Sequence, residues 1–157
     1  AKVLTRWSCA EYGEVPPLEF IPLLEESGLI LPAGRWIFEQ GVRVCAKWLQ
    51  KKKDFALSIN LSWLQLEDPD FITFMQACMQ QYGVDPRHIA VEITESYIAS
   101  NIGFLQDRFS RMRKLGLKIA MDDFGTGYSS LNTFCKLKLD GNFLRNFFVM
   151  CAFTSQS

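Results

Sequence analysis

The chain has 157 residues, 48% of them apolar, with 17 basic and 17 acidic side chains. That is long enough for one domain with its own hydrophobic core. Its neutrality argues against a nucleic-acid binder that works through bulk charge, so neither DNA nor RNA is an expected partner.

Taken in chain order, "KVLTRW" reads as a short strand. Pro16 and Pro17 then open an amphipathic stretch, "LEFIPLLEESGL", that stops near Gly28. A longer helical pattern runs from about Pro32 to Lys53, with Trp36, Ile37, Val44 and Trp48 at helical spacing. "FALSINLS" is apolar and β-branched enough for a buried strand. In the next helix, "DPDFITFMQACMQQYG", Asp68 is the expected N-cap, Pro69 lies in the first turn and Gly83 is the stop. "HIAVEITES" is a strand, "GFLQDRFSRMRKLG" a helix closed by Gly116, and "LKIAMDD" a strand. "SSLNTFCKL" then reads as a short helix and "KLKLDGNF" as a further strand, while residues 147–157 show no pattern. Strands alternating with helices, and apolar almost throughout, imply a parallel α/β sheet covered by helices.

Five cysteines (Cys9, Cys45, Cys78, Cys135 and Cys151) are scattered, odd in number and without a C-x-x-C pair. That usage suits buried thiols in a reducing cytosol better than a disulfide frame or a zinc site. No apolar run approaches the length of a membrane span, so any membrane contact of a larger protein is expected from another segment. The run Lys51–Lys53 reads as a solvated helix end.

The chemistry gathers at the C-terminal ends of the strands, where parallel α/β folds bind ligands. Asn60 follows "FALSI", Glu92 and Glu95 stand in "AVEITE", and Asp122 and Asp123 end "LKIAM". Singly, Asn60 is accounted for as a turn cap and the glutamates as ion-paired strand ends. Two adjacent aspartates at a buried strand end repel one another and lose hydration unless a cation lies between them. Together these oxygens suit a hard cation such as Mg²⁺, Mn²⁺ or Ca²⁺ better than zinc.

The segments "RW", "FIPLLEESGLI", "INLSWLQL", "VEITES" and "MDDFGTGYSSL", in this order and spacing, resemble the bacterial EAL domain. The resemblance covers residues 2–146 and leaves the tail 147–157 unassigned. It implies a modified TIM (β/α)8 barrel, of which this chain supplies the N-terminal and central part. It also implies hydrolysis of the second messenger cyclic di-GMP to pGpG with Mg²⁺ or Mn²⁺, in the cytoplasm of a bacterium. Carried across by position, Asn60, Glu92 and Asp122 match ligands of one metal, and Asp123 a ligand of a second as well as a substrate contact. Glu95 matches the glutamate that anchors the loop Phe124–Ser130, and Leu4, Arg6 and Gln65 match substrate-binding positions. Lys138, in "KLDGNFLRN", matches the catalytic lysine in a gapped alignment, whereas an ungapped one puts Phe143 at that position. Two-metal hydrolysis would use the cations to generate hydroxide and to stabilise phosphodiester charge.

Three departures stand out. The family's Glu-Ala-Leu motif reads Lys2-Val3-Leu4, so a cation replaces an anionic metal ligand, and the Lys2 ammonium is expected where the metal would sit, paired with Glu92 and Asp122. The Lys138 match needs a helix-to-strand connection about five residues shorter than the family's, although such connections are typically only about 2–6 residues long. A TIM-type barrel takes about 250 residues, so the strand expected before Lys2 and everything after the Lys138 strand fall outside these 157. The expected function is therefore a catalytically impaired cyclic di-GMP receptor or regulatory module, with Mg²⁺ or Mn²⁺ expected as cofactor if the domain is active. The alternatives are an active phosphodiesterase or a protein-binding scaffold without nucleotide binding. The resemblance also leads us to expect a homodimer and neighbouring GGDEF or sensory domains in a longer protein.

Overall fold

The computed structural model describes residues 1–94 and 102–122. Glu95, Asp123, Lys138, the loop 124–130, and the helix and strand expected beyond it lie outside the described residues. Strand β1 (Trp7–Cys9) and strand β2 (Gly13–Val15) form an antiparallel hairpin with Trp7 opposite Val15. Helix α1 (Pro17–Glu26) and helix α2 (Ile30–Leu49) follow. Next come strand β3 (Leu57–Asn60), the short helix α3 (Trp63–Glu67) and helix α4 (Phe71–Gln81). A 3-10 turn at Pro86–His88 leads into β4 (Ile89–Thr94), helix α5 (Ile102–Lys114) and β5 (Lys118–Asp122).

The sheet is parallel in the order β3-β4-β5, with a helical connection between each pair, as the strand–helix alternation requires. Residues 1–3 add a further line of parallel backbone on the outer side of β3. Lys2 bridges to Ser58, Val3 N–H donates to the Ser58 carbonyl at 2.8 Å, and Ser58 N–H donates to the Ala1 carbonyl at 2.8 Å. "KVLTRW" is therefore not one strand: its start joins the main sheet, and its end, Trp7, opens the hairpin.

Strand residues alternate between the two faces of the sheet. Leu57, Ile59, Ile89, Val91, Ile93 and Ile119 join the main core with Phe38, Phe71, Met75, Phe109 and Met112 from the helices. The intervening positions Ser58, Ala90, Glu92 and Ala120 are small or polar, yet buried too. Both faces are covered, which is why the strands read as nearly continuous apolar runs.

Two local expectations need correction. On α2 the buried stripe is Ile30, Gly34, Phe38, Gly41, Val42 and Cys45, whereas Trp36, Val44 and Trp48 are exposed. Both stripes have helical spacing, and only the neighbouring sheet decides which one is inside. Asp68 stands two residues ahead of the cap position of α4, which is Asp70. There Asp68 Oδ1 accepts the Asp70 N–H at 2.9 Å and Oδ2 accepts Arg35 Nη2 at 2.8 Å. The expected stops hold: Gly28, Gly83 and Gly116 lie just past α1, α4 and α5 with φ of 73°, 64° and 96°, a region only glycine enters freely.

Candidate functional site

Register brings the predicted ligands of β3 and β4 side by side. Asn60 is the Cα partner of Glu92, and the Leu61 N–H donates to the Glu92 carbonyl at 2.9 Å. On the far side Glu92 pairs with Ala120, so the β5 backbone carries Asp122 two residues further toward the same end, opposite Thr94. Three successive strand ends therefore converge on one rim of the sheet.

At that rim stands a lysine. The bridge to Ser58 fixes the Lys2 backbone beside β3, and Lys2 Nζ lies 2.6 Å from Glu92 Oε2. The Glu92 side chain is only 9% exposed and that of Lys2 35%, so the pair sits at the mouth of the site with its carboxylate end inward. A carboxylate this buried needs a partner, and the ammonium supplies it. Hard divalent cations want several anionic oxygens. Here the Glu92 carboxylate is already neutralised and Asn60 offers a neutral amide. Among the described residues no three acidic, histidine or cysteine side chains gather as a metal would require. With Lys2 on Glu92, the two described donors of this rim, Glu92 and Asn60, offer a divalent cation little net negative charge.

Next to the rim opens a cavity of about 250 Å³. Leu4, Arg6, Asn60 and Gln65 all line it, together with apolar residues of α1, α2 and β3. The cavity thus unites the substrate-binding candidates with one metal-site candidate. Leu4 and Arg6 are exposed at its edge, and Arg6 Nη1 donates to the Thr5 carbonyl at 3.0 Å.

Gln65 differs from these two, being 3% exposed. Its Oε1 accepts the Ser62 N–H at 2.9 Å, while the Ser62 side chain caps the Gln65 backbone in return. Its Nε2 is buried without a hydrogen-bond partner and lies against Gly34 of α2. A Cβ on Gly34 would stand 2.2 Å from that nitrogen, so only glycine lets the helix approach this closely.

Two further groups in this wall were not among the sequence candidates. Glu25 of α1 lines the cavity and accepts a hydrogen bond from Ser62 Oγ. Ser62 itself forms a capping box with Gln65, a pairing that the Ser-x-x-Gln spacing signals locally. Glu25 carries no such signal, because its partner lies 37 residues away in the chain.

Comparison with known proteins gives a consistent picture. The family described as the EAL domain matches residues 1–146. The cyclic di-GMP phosphodiesterase PdeR of Escherichia coli is 38% identical over 148 residues, spanning 94% of this chain and 22% of that protein. The PaMucR phosphodiesterase in its c-di-GMP complex superposes with a TM-score of 0.83 at 30% identity, over 88% of this chain and 56% of the other. The EAL enzyme Bd1971, in a form bound to cAMP and cyclic di-GMP, follows with a TM-score of 0.78 at 30% identity, over 88% and 39%. The chain thus spans roughly a fifth of the length of PdeR.

Proposed function

This chain belongs to the EAL domain family, with its TIM-barrel-like α/β fold, and from that premise we propose that it binds cyclic di-GMP as a signalling domain whose hydrolytic activity has lapsed. The observation that carries the reading is the Lys2 ammonium held on Glu92. A unit charge about 4 Å from a dication costs roughly 8 kcal/mol at an effective dielectric near 20, more than one neutral amide ligand returns. Catalysis would need that cation, whereas binding a dinucleotide needs only walls, donors and compensating charge.

The cavity supplies these. Arg6 offers a fork of donors suited to phosphate, Leu4 an apolar edge, and Gln65 a rigid wall that holds the turn after Asn60. Asp122, Asp123, Glu95 and Lys138 complete the proposed site by their match to the family pattern. Mg²⁺ or Mn²⁺ belongs to the proposal only for a form in which Lys2 has been replaced. A homodimer and neighbouring GGDEF or sensory domains are proposed for the longer protein on the same family grounds.

Two measurements test the reading. The chain is incubated with cyclic di-GMP and Mn²⁺ and assayed for pGpG, and the assay is repeated with Lys2→Glu. Product from the substituted protein alone supports a lapsed enzyme, and turnover by the native chain overturns it. Calorimetric titration with cyclic di-GMP asks whether the dinucleotide binds at all. Absence of heat and of competition leaves a scaffold.

A further inference from the structure

We infer that Glu25 reads the donor edge of a guanine base seated in the cavity beside Arg6 and Asn60, which makes it the residue that sets base preference. The inference rests on the cyclic di-GMP reading above.

A carboxylate in the wall of a site for a doubly anionic ligand raises the cost of binding unless it meets donors on that ligand. Guanine alone among the common bases presents two adjacent donors, N1–H and the 2-amino group, on one edge. An ionised carboxylate accepts such a pair side by side, as it accepts the fork of an arginine. Adenine offers an acceptor at that ring position.

The surroundings suit a flat ring. Ile21, Ile30, Ile37 and Ile59 line the same cavity, whose volume is about 250 Å³, and Trp63 stands at its margin. Ser62 Oγ pins one oxygen of Glu25, which fixes the carboxylate while an ionised group of about four acceptor sites keeps most of its capacity. In the same wall Gln65 is buried and its Oε1 accepts the Ser62 N–H at 2.9 Å, which fixes the turn that carries the Ser62 hydroxyl.

The test compares cyclic di-GMP with cyclic di-IMP, whose hypoxanthine bases lack only the 2-amino group. Binding is followed by calorimetry for the native chain and for Glu25→Gln, which can still accept from Ser62 and so should keep its melting curve. The native chain is expected to prefer cyclic di-GMP by about tenfold to a hundredfold, as for one hydrogen bond to a charged group. In Glu25→Gln that preference should shrink to within about threefold, through a larger loss of cyclic di-GMP than of cyclic di-IMP affinity, because hypoxanthine keeps N1–H but has no 2-amino group to lose its acceptor. An unchanged preference, or equal losses for both ligands, overturns the assignment while leaving the receptor reading intact. If the native chain binds neither ligand, the receptor reading itself fails.

Discussion

Replacing Gly34 by alanine sets two effects of similar size against each other. In an exposed helix the substitution would stabilise by about 1 kcal/mol, because alanine has the better helix propensity. Here the new Cβ would lie 2.2 Å from Gln65 Nε2 and 2.5 Å from its Cδ, so Gln65 must leave its place. Leaving breaks the bond from the Ser62 N–H to Oε1 and with it half of the capping box of α3. Losing a cap costs about 0.5–2 kcal/mol, and overpacking a buried site adds about 1–3 kcal/mol. The net expectation is a destabilisation of about 1–3 kcal/mol by urea denaturation. Removing the obstacle should reverse the sign: in a Gln65→Ala background, Gly34→Ala should stabilise by up to about 1 kcal/mol. A double-mutant cycle would then report a coupling of about 2–4 kcal/mol. Additive effects, or stabilisation in the native background, would refute the claim that Gln65 is a fixed wall of the cavity.

Lys2→Met leaves the Glu92 carboxylate buried without its counter-ion. Because the lysine side chain is 35% exposed, the loss should be about 1–2 kcal/mol, less than for a fully buried pair, and Glu92→Gln in the same chain should recover most of it. Burial, with Glu39 nearby, pushes the Cys78 thiol up to about 11, whereas backbone hydrogen bonds from Glu11 and Tyr12 lower that of Cys9. Residue-resolved labelling with a thiol reagent at neutral pH should therefore modify Cys9 well before Cys45 or Cys78, and equal rates would contradict the burial seen here. At Asp68 burial alone would raise the pKa, but the Arg35 hydrogen bond, the Asp70 N–H and the Arg35 charge outweigh it and leave the carboxyl below its ordinary value. Its contribution is then complete above the ordinary carboxylate pKa and is lost as pH falls through the lowered value. Asp68→Asn should flatten the acid limb of the stability–pH curve in that window, and an unchanged limb would count against the Arg35 pairing.

The sequence alone settled whatever depends on local chemistry. Glycines mark where α1, α4 and α5 end because a positive φ is cheap only there. Apolar strands alternating with helices dictated a parallel sheet, and the parallel pairing of β3, β4 and β5 follows that rule. Polar residues at the strand ends, together with the motif spacing, were enough to draw Asn60, Glu92 and Asp122 toward one site.

What distance along the chain conceals, only the tertiary structure decided. The α2 sequence carries two stripes of helical period, and the sheet beneath selected the one containing Phe38 over the one containing Trp36. The hairpin Trp7–Val15 escaped notice because its strands of three residues each are too short to show a period. That the Lys2 ammonium pairs with Glu92 was already legible from the motif match, but the parallel pairing of residues 1–3 with β3 that carries it there, 90 residues away in the chain, came only from the tertiary structure. Glu25 entered the cavity wall in the same manner, through a bond to Ser62 that no local pattern announces. Short-range preferences are written residue by residue, whereas long-range contacts exist only once the strands have chosen their neighbours and register.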